Sequence, residues 1–220
     1  MNDTVKNLGV VLSVIASFAV VVLLISADSQ RKVVCFGDSI TNGARADGDS
    51  WVHYLKQEHP GINWVNAGRN GRKTADRGQL LPVIENNPDA DYFLIFLGVN
   101  DLKDGTKAIV ASCVENVRWM IEIIRERNAE AEIVLLAPTD INLDTMDSVN
   151  VRKMYNENTK QSLQILESEY RTLAKRRSVE FISLLNAVSP PNYVDGLHPN
   201  RAGQKEIARA VWEGFEKILK

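Results

Sequence analysis

An apolar run from Val33 to Phe36 ends abruptly in Gly37-Asp38-Ser39, and far downstream Asp195-Gly196-Leu197-His198 puts a carboxylate and an imidazole in one short loop. A serine hydroxyl is a weak nucleophile until a positioned imidazole takes its proton, and the imidazole needs a carboxylate to fix its tautomer. These residue types describe acyl transfer. Ser39 is the expected nucleophile, His198 the base that later protonates the leaving alcohol, and Asp195 the group that orients the ring. The aspartate reaches the histidine if the two residues between them turn, and Gly196 makes that turn easy.

Acyl transfer also needs donors for the charge that develops on the carbonyl oxygen. The backbone N–H of Ser39 is one candidate, and the side-chain amide of Asn100, in Gly98-Val99-Asn100-Asp101, is another. A third is a glycine N–H in the loop Asn66-Ala67-Gly68-Arg69-Asn70-Gly71, where both Gly68 and Gly71 qualify because backbone at glycine can approach a substrate closely. Asp38 and Asp101 read as structural acids that bond nearby backbone.

The elements that must position these groups follow from periodicity. Short apolar runs at Val33–Phe36, Ile62–Val65, Tyr92–Leu97, Ile133–Ala137 and Val179–Ile182 read as strands. Helical patterns fall between and after them near Ser50–Glu58, Thr74–Glu85, Thr106–Arg127, Val149–Arg177 and Arg201–Leu219, with Ser50 and Asn200 as N-caps and Pro82 marking a kink or break. Such alternation predicts an α/β, three-layer fold on a five-stranded parallel sheet, whose sites lie beyond the carboxyl ends of the strands. The Ser39, Gly68-to-Gly71 and Asn100 blocks each follow a predicted strand.

Those blocks, taken in order with Asp195-x-x-His198, resemble the four conserved blocks of the SGNH (GDSL) hydrolase family, over roughly residues 33–218. The resemblance implies a flavodoxin-like fold, a serine esterase mechanism without a cofactor, and Ser39, Gly71, Asn100 and His198 as the family-defining residues, with Asp195 completing the triad. Gly71 is preferred to Gly68 because aligning Asn66-Ala67 with the Asn-Ala of the thioesterase and lysophospholipase branch puts the donor glycine five positions later. Arg72-Lys73 departs from that branch, where smaller or acidic residues are common.

Composition bounds the remaining possibilities. The chain has 220 residues and a formal net charge of -2, with no basic stripe of interleaved aromatics, so nucleic acid is not an expected partner. Residues 7 to 27 carry no charge, and the run 8–25 is long enough to span a bilayer. Residues 1–27 therefore read as an uncleaved membrane anchor, with secretion after signal cleavage as the alternative, and residues 28–220 as an extracytoplasmic hydrolase domain. Cys35 and Cys113 read as buried small hydrophobes, and no His or Cys spacing supports a metal. The acidic stretch from Asp140 to Asp144 resembles the opening of a calcium loop, but Thr145 and Val151 stand where glycine and glutamate are needed. Residues 139–149 are instead expected to form either a mobile loop over the cleft or a plain acidic connection.

His53 and His59 lack acidic partners at useful spacing and read as surface residues. Arg69, Arg72, Lys73 and Arg77 cluster beside the proposed oxyanion glycine, which makes Arg72 and Lys73 candidate contacts for an anionic substrate, set against solvated loop charges without a role. The expected activity is hydrolysis of carboxylic esters through an acyl-Ser39 intermediate, with short-acyl esters such as acetylated sugars or aryl esters as leading substrates. A lysophospholipase or thioesterase is the alternative within that class, and a non-catalytic cell-surface carbohydrate-binding module the alternative outside it.

Overall fold

The computed structural model describes residues 30–219. Five parallel strands form one sheet: β1 (Lys32–Gly37), β2 (Asn63–Gly68), β3 (Tyr92–Phe96), β4 (Glu132–Ala137) and β5 (Glu180–Ser183), in the order β2-β1-β3-β4-β5. Parallel strands need crossovers that cover both faces, which is why β1 and β3 are apolar and buried at nearly every position. Seven α-helices occur among the described residues: α1 (Ser39–Asn42), α2 (Trp51–Glu58), α3 (Leu80–Glu85), α4 (Lys107–Arg127), α5 (Ser148–Arg152), α6 (Glu157–Arg177) and α7 (Arg201–Phe215).

Side chains alternate across the pleat and build two cores. Val34, Phe36, Phe93 and Ile95 face α4 and α6, whereas Val33, Cys35 and Leu94 face α2 and α7. Trp51 and Leu55 of α2 meet Val211 and Phe215 of α7 in the second core. The chain leaves β1 for β2 on one side and returns to β3 on the other. This reversal opens a crevice at the carboxyl ends of β1 and β3, the place where ligands bind in such sheets.

The predicted strands all form, with ends shifted by no more than three residues. Two predicted helices are each divided. The stretch 74–85 is a 3₁₀ helix, Thr74–Gln79, followed by α3, and Pro82 falls in the first turn of α3, where its missing N–H has no intrahelical partner to lose. The stretch 149–177 separates into α5 and α6, because Met154 takes the left-handed conformation (φ 68°) and Asn156 caps a new helix reciprocally with Thr159. Cys35 and Cys113 are free and buried.

The expectation of an anchor at residues 8–25 lies outside the described residues. Among the described residues no helix is long and apolar enough to cross a membrane. Among the same residues no group of His, Cys, Asp or Glu is arranged to hold a metal ion.

Candidate active site

Ser39 is the first residue of α1, immediately beyond β1. Asp38 caps that helix, its Oδ1 accepting the Ile40 N–H at 2.9 Å. The start of α1 is also held from outside: the buried Gln204 of α7 donates to Ile40 O at 3.0 Å and accepts the Trp51 N–H at 2.8 Å. No sequence signal marks this amide, since a glutamine on a C-terminal helix reads as a solvated residue.

Ser39 Oγ lies 3.0 Å from His198 Nε2, and His198 Nδ1 lies 2.9 Å from Asp195 Oδ2. The sequence separates Ser39 from the other two by most of the chain, and the fold brings all three into one hydrogen-bonded series. Asp195 Oδ1 also accepts the backbone N–H groups of Leu197 and His198, at 3.2 and 2.8 Å. Burial pushes the Asp195 carboxyl upward, but the bonds from the His198 ring and from these backbone groups outweigh it and hold the acid well below the usual carboxylate range. Asp195 is therefore an anion at neutral pH. An anion bonded to Nδ1 holds the ring in the tautomer that leaves Nε2 free to accept the serine proton.

The loop that bears Asp195 is fixed from behind. Asn142 N donates to Gly196 O at 2.8 Å, Asp147 N to Asp195 O at 3.3 Å, and the buried Asn150 amide to the same Asp195 O at 3.1 Å. Gly196 is required, because a Cβ there would lie 2.5 Å from Met146 Cα. Residues 139–149 thus brace the acid from behind through hydrogen bonds, a role that neither a loop over the cleft nor a plain connection anticipates.

The second and third blocks meet beside Ser39. Asn100 is buried, with Nδ2 3.2 Å from Asp38 Oδ2 and 3.2 Å from Arg72 O, one residue beyond Gly71. Of the two glycines, Gly68 has its N–H bonded to Asn66 Oδ1 at 2.9 Å and packs so tightly on α1 that a Cβ would lie 2.4 Å from Asn42 N. Gly71 has φ 74° and open space around it. Among the described residues the N–H groups of Ser39 and Gly71 have no protein acceptor, which leaves both able to bond a substrate oxygen.

Arg72 needs a correction. Neither a substrate contact nor a solvated loop charge describes it, because only 6% of it is exposed and its guanidinium turns inward. One terminal nitrogen donates to Gly37 O at 2.5 Å and to Ala67 O at 2.6 Å, Nε donates to Gln79, and the group lies 4.1 Å over the Phe36 ring. Burial, and the neighbouring Arg69 charge, lower its pKa to about 10, still cationic at neutral pH. Arg72 ties the ends of β1 and β2 together. Lys73 stays exposed, and its backbone N–H bonds the Asp76 carboxylate at 2.9 Å.

Asp101 is the structural acid expected, bonding Thr74 N and Thr74 Oγ1 at 3.0 and 2.7 Å. Asp38 does more than cap, since its second oxygen faces Asn100. Arg45, in left-handed backbone (φ 65°), sets Nε 3.3 Å from Asp195 Oδ2. His53, expected to lack an acidic partner, has Asp49 one helical turn earlier at 3.7 Å, and His59 stacks on Trp212; neither bonds a residue of this site.

The profile of the GDSL-like Lipase/Acylhydrolase family matches residues 35–206, from β1 into the last helix, and takes in Ser39, Gly71, Asn100, Asp195 and His198. The chain belongs to this family. Over 177 residues it is 28% identical to an uncharacterized esterase, YxiM, of Bacillus subtilis (strain 168), a match that covers 77% of this chain and 46% of the relative. The chain thus spans about half the length of that curated relative. Among solved structures, Est24, a carbohydrate acetylesterase from Sinorhizobium meliloti, superposes with a TM-score of 0.74 at 17% identity, covering 86% of this chain and 100% of that one. The inhibitor-bound aryl esterase of M. smegmatis gives 0.73 at 18% identity, with the same coverage. At these identities the likeness is one of fold.

Proposed function

We propose that this GDSL-family domain is a serine esterase acting on short-acyl esters of sugars or aryl alcohols, with Ser39, His198 and Asp195 as its triad. The observation that carries the reading is the unbroken series from Ser39 Oγ through the His198 ring to Asp195, at 3.0 and 2.9 Å. Ser39 Oγ adds to the ester carbonyl as His198 Nε2 takes its proton, and the resulting oxyanion is received by the N–H groups of Ser39 and Gly71 and by Asn100 Nδ2. His198 then protonates the departing alkoxide, leaving acyl-Ser39. Water enters, His198 removes its proton, and a second tetrahedral intermediate collapses to the acid and free Ser39. Every step is a proton transfer through His198, an addition to the carbonyl carbon or an elimination from it, and the last returns the proton to Ser39 Oγ.

The acetylated-sugar reading takes its support from Est24, a carbohydrate acetylesterase, and the aryl-ester reading from the M. smegmatis aryl esterase. Lys73 is proposed as the contact for an anionic group on the substrate, since Arg72 is committed to the strands. A non-catalytic carbohydrate-binding module fits less well, because binding needs no ionised acid aligned on a serine-bound imidazole.

The test is the release of acid from acetylated xylo-oligosaccharide, p-nitrophenyl acetate, a lysophospholipid and an acyl thioester by the full chain. Turnover concentrated in the first two supports the proposal. Preference for the lysophospholipid or thioester replaces the substrate and keeps the mechanism. Binding of the oligosaccharide without turnover of any ester returns the binding module.

A further inference from the structure

The break between α5 and α6 has a chemical consequence. A continuous helix over 149–177 would leave residue 155 as one more helical position, but the left-handed turn at Met154 and the new cap at Asn156 turn Tyr155 inward. The residue is 3% exposed, and its hydroxyl donates to Asn100 Oδ1 at 2.9 Å. Burial, with the nearby carboxylates of Asp38, Asp101 and Asp195, raises the phenol above its ordinary range, so this group stays a donor throughout the neutral region.

An asparagine amide has an acceptor end and a donor end of nearly equal size, and turning it over exchanges them. Around Asn100 the environment distinguishes the two. The nitrogen faces two acceptors, Asp38 Oδ2 and Arg72 O, both at the long distance of 3.2 Å, while the oxygen faces the Tyr155 hydroxyl at 2.9 Å. Reversal would set the amide oxygen against a carboxylate and a carbonyl. The shortest bond is thus on the end away from the substrate, and the long bonds at the nitrogen leave it able to share a proton with a new acceptor.

We propose that Tyr155 is a positioning residue for the transition state: its hydroxyl bond to Asn100 Oδ1 fixes the amide with Nδ2 toward the oxyanion and strengthens that N–H as a donor. This rests on the role given to Asn100 above. The Tyr155 hydroxyl bonds Asn100 and none of Ser39, His198 and Asp195. A hydrogen bond to the amide oxygen draws charge from the nitrogen, an effect that grows when negative charge appears on the far side.

The experiment is a double-mutant cycle on the full chain, with p-nitrophenyl acetate as substrate: wild type, Tyr155→Phe, Asn100→Ala and the double variant. Tyr155→Phe keeps the buried ring and deletes one atom, and thermal melts check that each variant is folded. It is expected to lower kcat by about five- to thirtyfold with KM within about twofold, as loss of an interaction made mainly in the transition state. Asn100→Ala is expected to lower kcat by about 10²–10³-fold, and the double variant to be no slower than Asn100→Ala alone. An unchanged kcat in Tyr155→Phe, or an equal loss in both backgrounds, overturns the proposal while the role of Asn100 stands. A wild-type kcat in Asn100→Ala removes that role and the inference with it.

Discussion

Asp195 divides its carboxylate between two tasks. Oδ1 accepts the backbone of its own turn, at Leu197 and His198, while Oδ2 meets His198 Nδ1 and the Arg45 side chain. Asp195→Asn keeps the shape and reverses the preference at Nδ1, so kcat is expected to fall by about 10³–10⁴-fold with near-normal folding, measured by steady-state hydrolysis and thermal melts. Arg45→Gln is expected to change kcat less than about threefold at physiological salt, because that side chain is mostly exposed and its charge is screened. Ser39, Asp195, His198 and Asn100 were legible from the sequence because their chemistry is rare in combination and each follows a strand or turn signal. Arg72 was misread: residue type reveals a cation, but only the packed ends of β1 and β2 reveal that two carbonyls claim it. Tyr155 was missed because an aromatic residue within an apparent helix reads as core. The Asn156-x-x-Thr159 cap was the available signal that the helix restarts there.

The elements place the proposed oxyanion donors with the help of two glycines that resist substitution for different reasons. A methyl on Gly68 would meet the backbone of α1, whereas one on Gly71 meets nothing but requires a left-handed L-residue. Gly71→Ala is therefore expected to cost about 1–2 kcal/mol of stability and to lower kcat with it, as the loop turns its N–H aside. Gly68→Ala is expected to be the less stable of the two, since α1 and β2 must part to admit the methyl; paired thermal melts and kinetics decide the order. The sheet and its covering helices were legible because strand period and crossover length are local properties. The short α1, the 3₁₀ helix and the division of α5 from α6 were less so, because caps, a proline in a first turn and one left-handed residue set them. The bracing of residues 195–196 by 139–149 is a tertiary hydrogen-bond pattern with no periodicity to read.

At the scale of the whole molecule, the crevice at the reversal of strand order is kept reactive at a cost to stability, most clearly at Asp38. Burial raises its pKa to about 6, against the bond from Ile40 N and the charge of His198, which lower it. An unfolded aspartate titrates near ~3.9, so the contribution of Asp38 to stability is full below that pH and is lost as pH rises through about 6. Asp195 acts in the opposite sense: its contribution is present above ~3.9 and disappears only as pH falls through its depressed folded value. Wild type is expected to lose about 4–8 °C of melting temperature relative to Asp38→Asn between pH 4.5 and 7, measured by scanning calorimetry in matched buffers. A difference that does not vary with pH would show that Asp38 is no stored cost. The central claim is that turnover passes through an ester on Ser39, and the most direct measurement is intact and peptide mass spectrometry of the full chain after treatment with an alkyl fluorophosphonate, beside Ser39→Ala. The expected result is one phosphonyl adduct on the peptide that carries Ser39, a matching loss of p-nitrophenyl acetate hydrolysis, and neither adduct nor turnover in the variant. Full hydrolysis by Ser39→Ala, or labelling at another residue with activity retained, would contradict it.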